Sequence, residues 1–314
     1  MAELITIGEP LVVLASKDLN AGLVESENFS KSLGGAELNV MIGAARLGHS
    51  TEYVSMVGED PFGEYAIEKI AQYQVGNRYI SRHSIHWTGF YLKELVDRGD
   101  PSTYYFRRGS AAAHMDKLTI DDIDFSGIKW AYLSGVFPAI SLQARETYSY
   151  FVEKLLERGI HTAFDPNLRP SLWDSKEKMC RIINELAKAG EIVMPGIEEG
   201  QTLTGLEKPE EIADFYLNQS EITQTVIIKL GAGGAFVKLK KGECYQVKSF
   251  IVEKVVDTVG AGDGFALGVL TGLLEDLTLQ ESVRRGCAIG ALSVMTPGDN
   301  DGYPTREQLE AFML

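Results

Sequence analysis

Cysteine is scarce in this chain, and what there is comes as an odd three, Cys180, Cys244 and Cys287, with no paired spacing. That argues against a disulfide scaffold and for a reduced, cytoplasmic protein. No apolar run approaches the ~18 residues needed to cross a bilayer. The start, Met1-Ala2-Glu3-Leu4, has neither the basic nor the apolar region of a signal peptide. Positive charge is also short: 30 Lys and Arg against 44 Asp and Glu give a formal net charge of -14. Nucleic acid and anionic membrane surfaces are therefore poor partners, and any anionic ligand must be held by local positive groups. No Gly-Lys dipeptide occurs, so there is no Walker A loop. Histidine is rare, at five. His83 and His86, with His114 the nearest other candidate, read as loop or surface residues of a hairpin in preference to a metal site. What remains is ordinary: 45% hydrophobic and 24% charged residues over 314 positions, enough for two domains or for one α/β domain with an appendage.

The dominant pattern is alternation of strand and helix. Strands are expected at 4–7, 11–15, 52–57, 130–134, 162–165, 191–194 and 225–230, and helices after Gly35, after Pro61, and over 143–158 and 176–189. Repeated units of this kind imply a parallel sheet covered on both faces, with ligands beyond the carboxyl ends of its strands. Between residues 79 and 108 the texture changes to short alternating segments around the turn Asp97-Arg98-Gly99-Asp100-Pro101, which reads as an inserted β element. Asn167, Arg169, Lys229 and Asp263 all fall just after strands or at helix starts.

One stretch carries the most chemistry: Asp257-Thr258-Val259-Gly260-Ala261-Gly262-Asp263-Gly264-Phe265. A strand-like run, Phe250-Ile251-Val252, leads towards it, and a helix with Phe265, Val269, Leu270, Leu273 and Leu274 at helical spacing leaves it. Glycines ahead of a helix let backbone N–H groups crowd around an anion, which the helix N-terminus also attracts. A carboxylate there repels a phosphate, so Asp263 makes sense facing a hydroxyl that must lose its proton; the alternative is a plain helix N-cap. A dinucleotide fingerprint fails, because its third glycine would fall at Phe265.

Gly34-Gly35 with Asn39, then Gly58-Glu59-Asp60-Pro61-Phe62-Gly63, and finally the Asp257–Asp263 stretch resemble the two signatures of the ribokinase-like (PfkB) carbohydrate kinases, over essentially the full length. The resemblance implies a single α/β domain over 1–314, a doubly wound and mostly parallel sheet flanked by helices. It also implies a small β-sheet lid from segments around 10–34 and 79–108. It implies ATP and Mg²⁺ as cofactors, Asp263 as general base, and Gly260, Ala261 and Gly262 as an anion hole. Asp257 and Thr258 resemble the support for a monovalent cation such as K⁺; no side chain is assigned to the divalent metal. Lys229, Gly231, Gly233 and Gly234, with Asn167, resemble the nucleotide site, although the glycines also read as an ordinary turn between strands. Pairing of lids between subunits implies a homo-oligomer.

Tyr91, the run Tyr105-Phe106-Arg107-Arg108-Gly109-Ser110-Ala111, Asp165-Pro166-Asn167-Leu168-Arg169 and the start Gly8-Glu9-Pro10 resemble the 2-keto-3-deoxygluconate kinases within the family. The resemblance implies that Gly35, Ala36, Glu37 and Asn39 line a sugar acid and that Tyr91, Tyr105 and Arg107 close over it from the lid. Arg169 then bridges substrate and phosphates, and Asp299 meets the far end of the sugar. Arg107 between phenols suits a carboxylate, whereas lid packing alone also accounts for the tyrosines. The expected reaction is phosphorylation of 2-keto-3-deoxygluconate to its 6-phosphate. A fructokinase or other hexose kinase, or a catalytically silent sugar-binding regulator, are the alternatives.

Overall fold

The computed structural model describes residues 1–97, 101–296 and 298–314. The expected hairpin turn at Arg98, Gly99 and Asp100 lies outside the described residues. In chain order the elements begin β1 (Leu4–Ile7), β2 (Leu11–Leu19), β3 (Phe29–Gly34), α1 (Ala36–Arg46), β4 (Thr51–Gly58), α2 (Pro61–Gln72), β5 (Ile80–His83), β6 (Phe90–Leu95) and β7 (Thr103–Phe106). The middle of the chain forms α3 (Leu118–Asp121), β8 (Trp130–Ser134), α4 (Leu142–Glu157), β9 (His161–Asp165), α5 (Lys176–Ala187), β10 (Ile192–Val193), α6 (Ile197–Thr204) and α7 (Pro209–Gln219). The last third forms β11 (Thr225–Lys229), β12 (Ala235–Leu239), β13 (Cys244–Val247), α8 (Ala261–Leu274), α9 (Leu279–Ser293) and α10 (Arg306–Met313).

Nine strands make one sheet in the order β13-β12-β11-β10-β9-β8-β1-β4-β5. The run from β11 to β5 is parallel, and β12 and β13 add an antiparallel edge. β1 lies inside the sheet, between β8 and β4, and all four of its residues are apolar or paired. Leu4 joins the core beneath α1, α8 and α9; Ile5 and Ile7 join the core on the opposite face. Thr6 donates its hydroxyl to Tyr132 O at 2.6 Å. A strand buried on both faces must be apolar on both, and this is the pattern of a doubly wound sheet.

A second sheet of four strands, β3-β2-β6-β7, forms the lid. Its alternation puts Leu11, Val13 and Tyr91 in one small apolar cluster, while Val12 and Leu33 join the main core. Asp60 fastens the lid to the body: it caps α2 through the Phe62 and Gly63 N–H groups and accepts Thr88 N–H on its other oxygen. Two local expectations fail. Residues 80–83 are not part of the lid; β5 pairs with β4 at the edge of the large sheet, so His83 ends a body strand and not a hairpin arm. The run Phe250-Ile251-Val252 is not a strand: the chain leaves the sheet after β13 and, among the described residues, does not pair with it again. Ile251 is instead 94% exposed.

Candidate active site

α8 is buried nearly all round, which marks it as the central helix of the body. It starts at Gly260, whose φ of 78° is left-handed and whose Cβ, were there one, would lie 2.0 Å from Asp299 O. No side chain caps this N-terminus; Ala261 N–H makes only a long contact to Thr258 O at 3.4 Å, so this end of the helix suits an anion. Asp263 is not the N-cap. It sits in the first turn, 6% exposed, and its carboxylate points back into the body. There Oδ2 accepts Asn39 Nδ2 at 2.9 Å and Oδ1 accepts Asn167 Nδ2 at 3.1 Å.

Each of these donors is held from behind. Asn39 opens α1, and its Oδ1 accepts Asn300 Nδ2 at 2.9 Å. Asn167 follows β9 with a φ of 40°, a left-handed conformation that Asn tolerates. Burial raises the Asp263 carboxyl to about 7, against the pull of Asn39 and Arg169, with Asp165 and Glu37 adding to the rise. Burial likewise raises Glu37, whose Oε1 accepts Phe137 N–H at 3.2 Å. A carboxylate poised near neutrality and aimed by two amides can take a proton from a hydroxyl.

The ends of β9 and β11 supply a buried ion pair, Lys229 Nζ to Asp165 Oδ2 at 2.7 Å. Lys229 reaches the start of α8, 3.7 Å from where a Cβ on Gly262 would stand. Gly231 and Gly233 form an exposed turn between β11 and β12, and Gly234 turns against Val247 O, where any Cβ would meet backbone at 2.0 Å. The turn thus follows the lysine strand without joining the cavity described next.

Between lid and body lies a cavity of about 400 Å³. Gly35, Ala36, Glu37, Asn39, Tyr91, Tyr105, Arg107, Arg169, Gly260, Asp263 and Asp299 all line it, together with Asp257 and Thr258. Asn167 touches it through Asp263. Tyr91 donates its hydroxyl to Asp299 Oδ2 at 3.0 Å, and the Tyr91 and Tyr105 ring centroids are 4.9 Å apart. Arg107 lies over the Tyr105 ring, 5.9 Å from its centroid. Its guanidinium is already matched: Nε donates to Glu9 Oε2 at 2.7 Å, and Ser110 Oγ donates to Glu9 Oε1. Arg169 carries a charge with no carboxylate partner among the described residues; its Nη1 donates to Leu168 O.

Both carboxylate oxygens of Asp257 have partners. Oδ1 accepts Val259 N–H at 3.0 Å, and Oδ2 faces Lys93 Nζ at 3.1 Å. Glu9, Lys93, Asp165 and Asn300 are site residues that sequence reasoning did not assign. The only signals were a glutamate in the first turn, a lysine two positions after Tyr91, and polar neighbours of Asn167 and Asp299. Among the described residues no group of three or more His, Cys, Asp or Glu is arranged to hold a metal ion. His86 and His114 stack with ring centroids 3.4 Å apart.

The pfkB family carbohydrate kinase profile matches residues 1–306. A 2-dehydro-3-deoxygluconokinase of Bacillus subtilis is 40% identical over 310 residues, 98% of this chain and 94% of the relative. A PfkB protein of Polaromonas superposes with a TM-score of 0.88 at 38% identity, covering 99% of this chain and 100% of that one. A sugar kinase of Pyrococcus horikoshii, solved in complex with ATP, does so with a TM-score of 0.82 at 28% identity, covering 99% and 100%. The chain belongs to the pfkB family of carbohydrate kinases.

Proposed function

We propose that this chain is a cytoplasmic kinase that transfers the γ-phosphoryl group of ATP to the terminal hydroxyl of 2-keto-3-deoxygluconate (2-dehydro-3-deoxygluconate), with the whole chain and its lid acting as one unit. The observation that carries the reading is the 40% identity, over 98% of the chain, to a 2-dehydro-3-deoxygluconokinase. The cavity chemistry supports it. Glu9 neutralises Arg107, Lys93 neutralises Asp257, and Arg169 is left as the cation for the negative charge that substrate and phosphate bring.

Bound ATP with Mg²⁺ supplies the phosphoryl group and offsets its charge. The uncapped N–H groups at the start of α8 and the nearby Lys229 fit an anion there, with Gly231, Gly233 and Gly234 on the nucleotide side. Asp263, aimed by Asn39 and Asn167, takes the hydroxyl proton. The N–H groups of Gly260, Ala261 and Gly262 steady the transferring charge; a preorganised donor of this kind is worth about 10²–10³ in rate. Gly35, Ala36 and Glu37 contact one end of the sugar, Asp299 the other, and Tyr91, Tyr105 and Arg107 close over it. No monovalent cation is assigned, because Lys93 already faces Asp257. The exposed outer aromatics of the lid support a homo-oligomer.

ADP release measured side by side with 2-keto-3-deoxygluconate, gluconate, fructose and ribose tests the reading. The sugar acid should be turned over fastest, and Asp263→Asn should lower that rate by about 10²–10⁴ while leaving ATP binding nearly intact. Fastest turnover of fructose overturns the substrate, near-normal turnover by the variant overturns the base, and no ADP release with any sugar leaves a silent binding protein.

A further inference from the structure

We propose that Lys93 is a positioning residue whose ammonium group supplies, from within the chain, the positive charge that Asp257 needs, so that phosphoryl transfer proceeds without an added monovalent cation. The inference rests on the kinase reading above. Tyr91 and Lys93 are two apart on β6 and therefore point from the same face of the lid, and both line the cavity. Tyr91 reaches Asp299 and Lys93 reaches Asp257. The Lys93 and Asp257 side chains are only 14% and 16% exposed, so water does little of the charge balancing.

Asp257 is more than one half of an ion pair. Its Oδ1 accepts Val259 N–H at 3.0 Å, and its Oδ2 also lies 3.5 Å from Gly298 N. One carboxylate thus holds together the lid, the approach to the anion hole, and the loop that carries Asp299. Burial alone raises its carboxyl, but the Val259 amide and Lys93 outweigh that and leave it below the usual carboxylate range. Without a cation at this place, Asp257, Asp299 and Asp263 leave three carboxylates around the same cavity wall, where a phosphoryl group must pass. A metal cation prefers several oxygen ligands and repels a second cation at ion-pair distance. Lys93 and a K⁺ ion are therefore alternatives at Asp257, and the chain carries the lysine.

The test compares wild type, Lys93→Met and Lys93→Arg, with either K⁺ or tetramethylammonium as the sole monovalent cation. Wild-type and Lys93→Arg kcat should differ by less than about twofold between the two salts. In tetramethylammonium, Lys93→Met should lose about tenfold or more in kcat, the scale of one electrostatic contact in an active site, and K⁺ should restore most of it. K⁺ should also raise the melting temperature of Lys93→Met and leave that of wild type unchanged, a readout independent of turnover. A wild type activated tenfold by K⁺ overturns the inference, as does a Lys93→Met protein that answers K⁺ no more than wild type does. Absence of sugar-acid turnover in wild type overturns the kinase reading instead, and the melting comparison still decides the role of Lys93.

Discussion

The Asp263 carboxyl is held at about 7 by burial, so its basic form grows as pH rises through neutrality. The value of kcat/KM should therefore climb up to about pH 7 and level off above it. Asn39 is the strongest influence pulling that carboxyl down. Asn39→Ala should shift the climb to higher pH, and an unmoved midpoint in the pH profile would count against the assignment. Stability runs the other way. Between the ordinary carboxyl value and about 7 the folded protein binds the proton that the unfolded chain has lost, so this group's contribution to stability falls as pH rises across that window. Arg107 yields a second expectation, because Glu9 beneath it is 2% exposed. Arg107→Ala strands a buried carboxylate and should cost about 3–5 kcal/mol by chemical denaturation. The Glu9→Gln, Arg107→Met pair should regain much of that stability while KM for the sugar acid stays raised; full recovery of KM would remove Arg107 from recognition. None of these partners was legible by position. Asn39, Asp263 and Asp299 announce themselves beside glycines, but Glu9 is 98 residues from Arg107, Asp165 is 64 from Lys229, and Asn300 is 261 from Asn39. Sequence spacing carries no sign of such pairings.

At the level of elements, α8 transmits packing to chemistry. It crosses α9 so closely that a Cβ on Gly268 would lie 2.6 Å from the backbone of Gly286. Gly268→Ala must push the helices apart, and an overpacked core of this kind loses about 1–3 kcal/mol. Because Gly260 and Asp263 open the same helix, the variant should lose kcat along with melting temperature; a lowered melting temperature with unchanged kcat would show that α8 shifts without disturbing its N-terminus. The alternation of strands and helices was readable, since each buried parallel strand is a short apolar run bounded by turn residues. Phe250-Ile251-Val252 has the same texture and is no strand. Apolar composition states that a segment can pair, whereas a sheet edge decides whether a partner exists. β5 shows the converse: Ile80-Ser81-Arg82-His83 is too polar to read as body sheet, and it pairs only because β4 extends far enough to receive it.

At the scale of the whole molecule, the two faces of the lid differ in what they offer to solvent. One face carries Tyr91, Lys93 and Tyr105 over the cavity; the other carries Phe90, Tyr104 and Phe106. Phe90 and Phe106 stack with centroids 4.6 Å apart, and Tyr104 lies 5.1 Å from Phe106. Yet Tyr104 remains 61% exposed and Phe106 40%. Clustered aromatics left in water on a strand pair favour association. A net charge of -14 opposes it, since like charges on two copies repel until salt screens them. Light scattering should therefore find a dimer whose dissociation constant falls as ionic strength rises. Tyr104→Asp with Phe106→Asp should give a monomer at every salt concentration. Those side chains alternate with the residues over the cavity, so a lid freed from its partner should also bind sugar less tightly. A wild type that stays monomeric at high salt would assign the aromatic face to the lid's own packing, and the monomer would then be the working kinase.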